Sequence, residues 1–600
     1  MATAQPSLRR ILSSIHIDLV VGASLLTLFF VIFWWSPVQQ VTDSNYSLLL
    51  SENLLVHHTF ALENYAIPRY APFWQDYAYK NGEIYHLEWV RDRLYYFFPP
   101  GSSILSVPFV GLMRLAGLSP SNPDGTYNPQ GEMAMEALLA AILMAFAGTV
   151  FYFTSRLFLP VRISVLIAVG AALGTQVWST ASRALWSDTW GIVLLSVVAY
   201  LLLATESNKR SFQPILIATL LAWSYFVKPT ANLPIFGITV YVAIKHRRRL
   251  LPFLITGVVW FGGFIAYSYY NYRTVLPNYY LARRLSFTIF FESLAGHLIS
   301  PSRGLFIYVP VIGFVIWMLV RYRKNIKERS LLWLSVFAVG SHLIVISGFD
   351  HWWGGFCYGP RLLASLIPWF VLLSILALKA MLDSGNNRPR WSQTALGLVL
   401  LAVSIFANAR GALAESTWIW NTVPTNVDLQ PDRLWSWRET QMLAGLIRPP
   451  QPRVYPPLEG TLKLSSEESF KYLWYGWSGA EGDHRWTDGR EASIVFTLRT
   501  ISDKNLKLKL MPYLAEGKHQ QQRVEITLNG TTLRLLVLTS TQPSVHNLEV
   551  PANLFKERNL LIMGLPDAIS PSEVEGKEDW RRLGVAVWWI AFENADAVMQ

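Results

Sequence analysis

Long apolar runs separated by short polar ones fill the first two thirds of the chain. Windows of roughly 20 predominantly apolar residues, the length a helix needs to cross a bilayer, fall at 18–36, 133–155, 162–179, 188–204, 212–227, 231–245, 251–270, 305–320, 331–347, 363–382 and 392–408. They predict an α-helical polytopic membrane protein with about eleven transmembrane helices. One further apolar stretch, Pro99 to Leu118, is broken by Pro108 and Arg114. It reads as a helix lying in the outer interface, because a span there would invert every later loop against the charge asymmetry described below. Near residue 465 the period changes to two. "ASIVFTLR", "LKLKLMPYL", "RVEITLNGTTLRLLVL", "HNLEVP", "NLLIMGLP" and "GVAVWWIAFE" read as short strands, and "LNGTT" between alternating runs is a hairpin signal. The spacing predicts a C-terminal β-sandwich over 464–600. A Pro-rich linker, 411–463, containing "RPPQPRVYPPLEG", joins it to the helical domain 1–410.

Composition agrees with a membrane protein. Of 600 residues, 52% are hydrophobic and 15% charged, and mean hydropathy is +0.28, more apolar than an average soluble chain. A net charge of +11 would raise nucleic acid as a partner in a soluble protein. Here the basic residues gather at the ends of apolar runs, which is a topology signal and sets that partner aside. Threaded alternately, one side receives only short basic loops, with Arg9/Arg10, Arg156/Arg162, Lys209/Arg210, Lys245/Arg247/Arg248/Arg249, Arg321/Arg323/Lys324/Lys327/Arg329 and Lys379/Arg388/Arg390. The positive-inside rule makes that side cytoplasmic. The expectation is a multi-pass plasma (inner) membrane protein with a cytoplasmic N-terminus and an extracytoplasmic C-terminal domain. Trp34, Trp35, Trp178, Trp186, Trp352 and Trp353 suit an interfacial aromatic belt. No small-residue cleavage site follows the first apolar run, so it is expected to be a retained helix. The single cysteine, Cys357, excludes an intrachain disulfide framework and a Cys-based zinc site. No G-x-x-x-x-G-K spacing occurs, which argues against an ATP-driven pump.

Candidate chemistry collects on the outer side. Asp43, in "WWSPVQQVTDSNYSLLLSENLL", follows the first span, with Glu52 and Glu63 further on. An acid partly desolvated at a span's outer end is a competent general base; Asp43 also stands where a helix N-cap belongs, and the two roles can coexist. In "STASRALWSDTWG" Arg183 and Asp188 suit either a plain ion pair or an active-site pair. Lys228, in "SYFVKPTANLP", either snorkels or faces a polar cavity or an anion. Arg273, Arg283, Arg284, His297 and Arg303 run against the charge preference of that side; lipid headgroups or a phosphate at the bilayer surface would account for them. The stretch "SGFDHWWGGFCYGPRLL" holds Asp350, His351, Trp352, Trp353, Tyr358 and Arg361. Its glycines Gly354, Gly355 and Gly359 permit positive φ, its tryptophans suit a sugar face, and Arg361 suits an oxyanion.

This arrangement resembles the GT-C membrane glycosyltransferases, a group that includes protein O-mannosyltransferases, aminoarabinose transferases of lipid A and rhizobial core sugar transferases. An acid after the first span ("TDSNYSLLLSENLL"), an aromatic-proline element leading into an interfacial helix ("LYYFFPPGSSILSVPFVGLM") and spans ending in outer polar loops carry the resemblance over about 15–410. Three segments, "SRALWSDTWG", "SPSRGLFIYVPV" and "WWGGFCYGPRLL", are similar to an uncharacterised bacterial branch of that group. The resemblance implies transfer of a sugar from a polyprenyl-phosphate donor to a cell-envelope glycan, lipid or protein acceptor. In it Asp43 is the catalytic base, with Asp188, Glu63 or Glu52 as a second acid. Arg303, Arg361, Lys228 and Arg183 would hold the donor phosphate, and His351, Trp352, Trp353, Tyr358 and Asp350 the sugar or acceptor. Many members carry an Asp-Glu pair where this chain has Asp43 followed by Ser44, so the second acid is left unassigned. No cofactor is implied with certainty; carboxylates are available for a divalent metal ion, but no ligand spacing identifies a site. The C-terminal sandwich resembles carbohydrate-binding jelly-rolls, with Trp477, Trp486 and Trp580 either presenting ring faces or filling the core. A transporter or flippase of lipid-linked sugars is the alternative function, and a non-catalytic envelope scaffold a third.

Overall fold

The structure, a computed structural model, describes residues 8–68, 79–80, 83–282, 285–384, 391–424, 426–449, 451–452, 455–577, 579 and 581–595. They form two compact units, one ending at Leu413 and one beginning at Ala414. The expectations placed on Arg283, Arg284, Arg388, Arg390 and Trp580 fall outside the described residues.

All eleven apolar windows of the first unit coincide with helix. Its elements are α1 (Leu8–Trp35), α2 (Ser47–Val56), the short strand pairs β1–β2 (Tyr79–Lys80, Glu83–Ile84) and β3–β4 (Leu87–Val90, Arg93–Tyr96), α3 (Gly101–Leu115), α4 (Pro129–Arg156), α5 (Val161–Leu173), α6 (Ser187–Glu206), α7 (Pro214–Val227), α8 (Asn232–Lys245), α9 (Leu250–Tyr272), α10 (Phe290–Ile299), α11 (Leu305–Tyr308), α12 (Val311–Arg321), α13 (Arg329–Ile346), α14 (Ile367–Leu382) and α15 (Trp391–Leu413). Among the described residues, seven helical stretches are long and apolar enough to cross a membrane: His16–Trp35, Pro129–Arg156, Ser187–Glu206, Arg247–Tyr272, Arg329–Ile346, Arg361–Leu382 and Trp391–Leu413. The remaining four windows fall short of the predicted eleven spans. α5, α7, α8 and α12 have 13, 14, 14 and 11 residues, or about 16–21 Å against a hydrocarbon core of about 30 Å. Local breakers account for this. Gly174 and a π-helical turn at Val177–Ala181 end α5, Lys228–Pro229 separates α7 from α8, and Pro310 separates α11 from α12. α3, read as interfacial, is a 15-residue helix, about 22 Å long. α1 lies against α4. Gly148 permits that approach, since a Cβ there would come 2.7 Å from the Phe29 ring.

The second unit is a β-sandwich. One sheet has the order β13-β10-β15-β8-β7, with β5 also on β15, and the other β12-β11-β14-β9-β6; the strands are β5 (Thr461–Lys463), β6 (Leu473–Tyr475), β7 (Trp477–Glu481), β8 (His484–Asp488), β9 (Glu491–Phe496), β10 (Lys504–Pro512), β11 (Gln522–Leu528), β12 (Thr531–Leu538), β13 (Ser544–Val550), β14 (Asn559–Gly564) and β15 (Leu583–Asn594). Strand alternation builds the core: Leu506, Leu508 and Leu510 of β10 and Val524, Ile526 and Leu528 of β11 all turn inward. The predicted hairpin joins β11 to β12, with Asn529 and Gly530 at φ 53° and 90°, as a two-residue turn of this type requires. Residues assigned to an extended linker are instead folded into this unit. Glu415–Ile419 is helical, and Arg433 forms a buried 2.5 Å ion pair with Glu439 while lying over Trp420. The Pro-rich stretch "RPPQPRVYPPLEG" itself carries no helix or strand in its described residues, and Pro457 forms a bridge to Thr497.

Candidate active site

Two buried glutamates of α4 shape the turn that carries Asp43. Glu132 and Glu136 stand one helical turn apart, both fully buried. The Glu132 carboxylate accepts from the backbone N–H groups of Tyr46 (2.9 Å), Leu48 (2.7 Å) and Leu49 (3.1 Å) and from the Tyr127 hydroxyl (2.6 Å). It therefore satisfies the orphan donors at the start of α2, where a negative charge also suits the helix dipole. The N-cap role considered for Asp43 is thus taken by a residue 89 positions later, because Tyr46 enters α2 in a left-handed conformation with no side-chain cap of its own. One oxygen of Glu136 accepts from the Ser44 hydroxyl at 2.7 Å and from the Leu185 N–H at 3.0 Å. A single carboxylate atom so ties the Asp43 turn to the segment bearing Trp186.

Aromatic groups fix Asp43 further. Tyr96 donates its hydroxyl to the Asp43 carbonyl at 2.7 Å, and the Tyr85 hydroxyl lies 3.5 Å from the carboxylate. His86 donates from Nε2 to the Thr42 carbonyl at 2.7 Å. Burial pushes the His86 imidazole down to about 4, so it is neutral, and burial pushes the Tyr96 phenol up.

Arg361 completes the arrangement from the other end of the sequence. Its guanidinium pairs with the Asp43 carboxylate, lies 3.5 Å from the centre of the Trp186 ring and donates to the Gly354 carbonyl at 3.2 Å. Its Nε–H finds no acceptor among the described residues, a costly state for a buried cationic donor. The Asp43 side chain keeps 31% exposure and that of Arg361 10%. The geometry offers a carboxylate reachable from outside beside a held, planar cation with an unused donor. Gly354, Gly355 and Gly359 have φ of 74°, 68° and 58°, as the loop's composition suggested. At Gly359 a Cβ would meet the Tyr308 ring at 2.9 Å.

The other candidates from the sequence disperse. Arg183 does not pair with Asp188; buried, it donates to the carbonyls of Phe33 and of Ser36 (2.6 Å) and closes the C-terminal end of α1. Asp188 pairs with Lys228 at 2.6 Å, and Lys228, His342 and Ser365 line a cavity of about 20 Å3, room for one water. Glu63 lies in an exposed 2.8 Å pair with Arg93, and Glu52 accepts from Ser119 at 2.6 Å and from Ser121. Neither is joined to Asp43. Arg303 is buried and donates to the carbonyls of Trp353 (3.1 Å), Ser302 (2.9 Å) and Gly355 (3.4 Å), so it staples the glycine-rich loop. Trp352 is packed beneath His297 and against Gly296, and Tyr358 is core, donating to the Ala407 carbonyl at 2.5 Å. His351 and Asp350 are exposed and Trp353 half-buried, with the His351 and Trp353 rings 4.2 Å apart and Asp350 accepting from Ser286. Of the belt tryptophans only Trp34 and Trp35 are exposed, whereas Trp178, Trp186 and Trp352 are buried. In the second unit Trp477 is core, its Nε1 donating to the Ser493 carbonyl at 2.8 Å, and Trp486 is half-buried. Among the described residues no three His, Cys, Asp or Glu side chains converge as a metal-ligand group.

No known family model matches the chain, and no curated protein does. Among solved structures it is similar to the oligosaccharyltransferase of Archaeoglobus fulgidus in the apo form, at 11% identity and a TM-score of 0.40, over 73% of this chain and 62% of that one. The same values relate it to archaeal oligosaccharyltransferase AglB from Archaeoglobus fulgidus in complex with an inhibitory peptide and a dolichol-phosphate. The chain therefore spans 62% of the length of these two structures. A family 35 carbohydrate binding module from an environmental isolate is similar over 23% of this chain and 86% of its own, at 14% identity and a TM-score of 0.14.

Proposed function

We propose that the protein is a membrane glycosyltransferase that moves a sugar from a polyprenyl-phosphate donor to a cell-envelope glycan, lipid or protein acceptor on the outer face, with Asp43 as general base. The observation that carries this reading is the Asp43–Arg361 pair: a half-exposed carboxylate beside a guanidinium seated on Trp186 and left with an unsatisfied Nε–H. A donor phosphate arriving there competes with Asp43 for the guanidinium. Arg361 then stabilises the charge that grows on the departing phosphate, and Asp43, released from its cation, accepts the proton of the acceptor hydroxyl. The acceptor oxygen bonds to the anomeric carbon as the carbon–oxygen bond to phosphate breaks, and polyprenyl phosphate leaves with that electron pair. Arg303 acts by holding the loop that presents His351 and Trp353, and Lys228 by neutralising Asp188.

The test is transfer in proteoliposomes offered a panel of polyprenyl-phosphate sugars with cell-envelope glycolipid extracts. Consumption of one donor by the wild type supports the reading; donor crossing the bilayer unreacted supports a flippase instead. For the sandwich we infer glycan contact at Trp486, whose ring meets the edges of His484 and Tyr513. The full-length Trp486→Ala variant should lose retention on a glycan array, and unchanged retention assigns the tryptophan to packing.

A further inference from the structure

The helix pair α8–α13 encloses a groove of about 320 Å3 at its surface. Phe236, Val240 and Ile244 of α8 and Trp333, Leu334 and Phe337 of α13 line it. Phe236, Trp333 and Ile244 are among the most exposed large apolar side chains of the unit, so the groove opens outward. Gly237 lets the Phe337 ring enter the seam, since a Cβ there would come within 2.8 Å of it. From Phe236 to Lys245 the groove follows α8 for about 13 Å.

Its two ends differ in charge. At one, Lys245 and Ser330 line the groove, the turn Arg247–Arg249 follows Lys245, and Arg329 precedes Ser330. These five cations are exposed, and none forms an ion pair among the described residues. Two carboxylates nearby are engaged: Glu206 accepts from Tyr241 at 2.7 Å, and Glu328 pairs with Lys379. Toward the other end of the seam the cation is Lys228, already committed to Asp188 at 2.6 Å. An apolar trough with unengaged positive charge at one end is complementary to an amphiphile with an apolar chain and an anionic head.

We propose that this seam binds an anionic phospholipid, with an acyl chain along Phe236–Ile244 and the phosphate at Lys245 and Arg329. The free cations stand at the basic end, which selects a phospholipid of that leaflet over a polyprenyl phosphate entering from the Lys228 end. The site stands apart from the Asp43–Arg361 pair and does not depend on the transferase reading.

The test uses the full-length protein in phosphatidylcholine vesicles containing phosphatidylglycerol brominated on its acyl chains, against brominated phosphatidylcholine as control. Quenching of Trp333 is read as the difference between wild type and Trp333→Phe. The brominated anionic lipid should quench several-fold more per mole, and the excess should fall about five-fold for each cation removed in Lys245→Gln and Arg329→Gln. Both side chains are exposed, so these variants fold. Equal quenching by the two lipids, an excess unchanged in the double variant, or displacement of the brominated phosphatidylglycerol by polyprenyl phosphate would each overturn the proposal.

Discussion

Two of the carboxylate–cation pairs that join distant parts of the helical unit, Asp188–Lys228 and Asp43–Arg361, differ in how far the acid is exposed. The Asp188 side chain is 3% exposed and that of Lys228 15%, 2.6 Å apart; the Asp43 side chain is 31% exposed beside an Arg361 held by Trp186 and Gly354. The first pair behaves as a fastener, because separating two buried charges leaves each without compensation. The second is open on the side of its acid, so an arriving anion and an acceptor hydroxyl can exchange with it. The proposed function gives an acid–cation pair at each of two span mouths a different use, on the ground of burial rather than spacing.

The contrast is broken most directly at Lys228. Lys228→Met should destabilise the protein by about 3–5 kcal/mol in thermal unfolding, because Asp188 is left buried and unpaired, and the double variant with Asp188→Leu should recover most of that loss. A double variant as unstable as the single would remove the fastener reading. Acid should act next. The folded pKa of His86, about 4, lies below the usual histidine value of 6.5. The unfolded chain therefore binds the proton first: stability is complete above pH 6.5 and declines as pH falls toward 4. The slice belonging to His86 is about 3 kcal/mol, and it should disappear from the pH dependence of His86→Gln.

Arg361→Lys keeps the charge but loses the planar fork and the seat on Trp186. Transfer should fall by about 10- to 100-fold with a smaller change in melting temperature than Lys228→Met produces; equal losses in both measurements would make the two pairs alike. Glu136 gives the smallest and most selective effect. Its one oxygen accepts both bonds, so Glu136→Gln should retain turnover and Glu136→Leu should lose about ten-fold through a misplaced turn. A loss in the glutamine variant equal to that in leucine would assign Glu136 a proton-transfer role.

The helices were legible because an apolar run long enough to bury itself leaves a composition signal that no fold detail erases. Their lengths were less so: Gly174 and Pro310 cut the windows 162–179 and 305–320 into shorter helices, which a window average conceals, while 212–227 and 231–245, parted by Pro229, are themselves shorter than a span. Asp43 and Arg361 were legible as polar residues at span mouths, but their pairing across 318 positions was not. Glu132 and Glu136 went unnoticed because they sit in the first turns of an apolar helix. The available signal was two acids four residues apart at the mouth of a span, where an unpaired charge is expensive. Arg183 was misread for the same reason in reverse: its partners are the backbone carbonyls of Phe33 and Ser36, and sequence carries no mark of a carbonyl in need of a donor. Trp186 and Trp352 were assigned to the interface by residue type, whereas packing decides whether a tryptophan lines the bilayer or fills the core.

The most direct measurement compares donor turnover with donor binding in Asp43→Asn. A general base that Arg361 holds in the resting state predicts transfer at least about 100-fold slower, with donor affinity unchanged or improved because the guanidinium no longer has a competing carboxylate. Near wild-type turnover in Asp43→Asn would contradict the account.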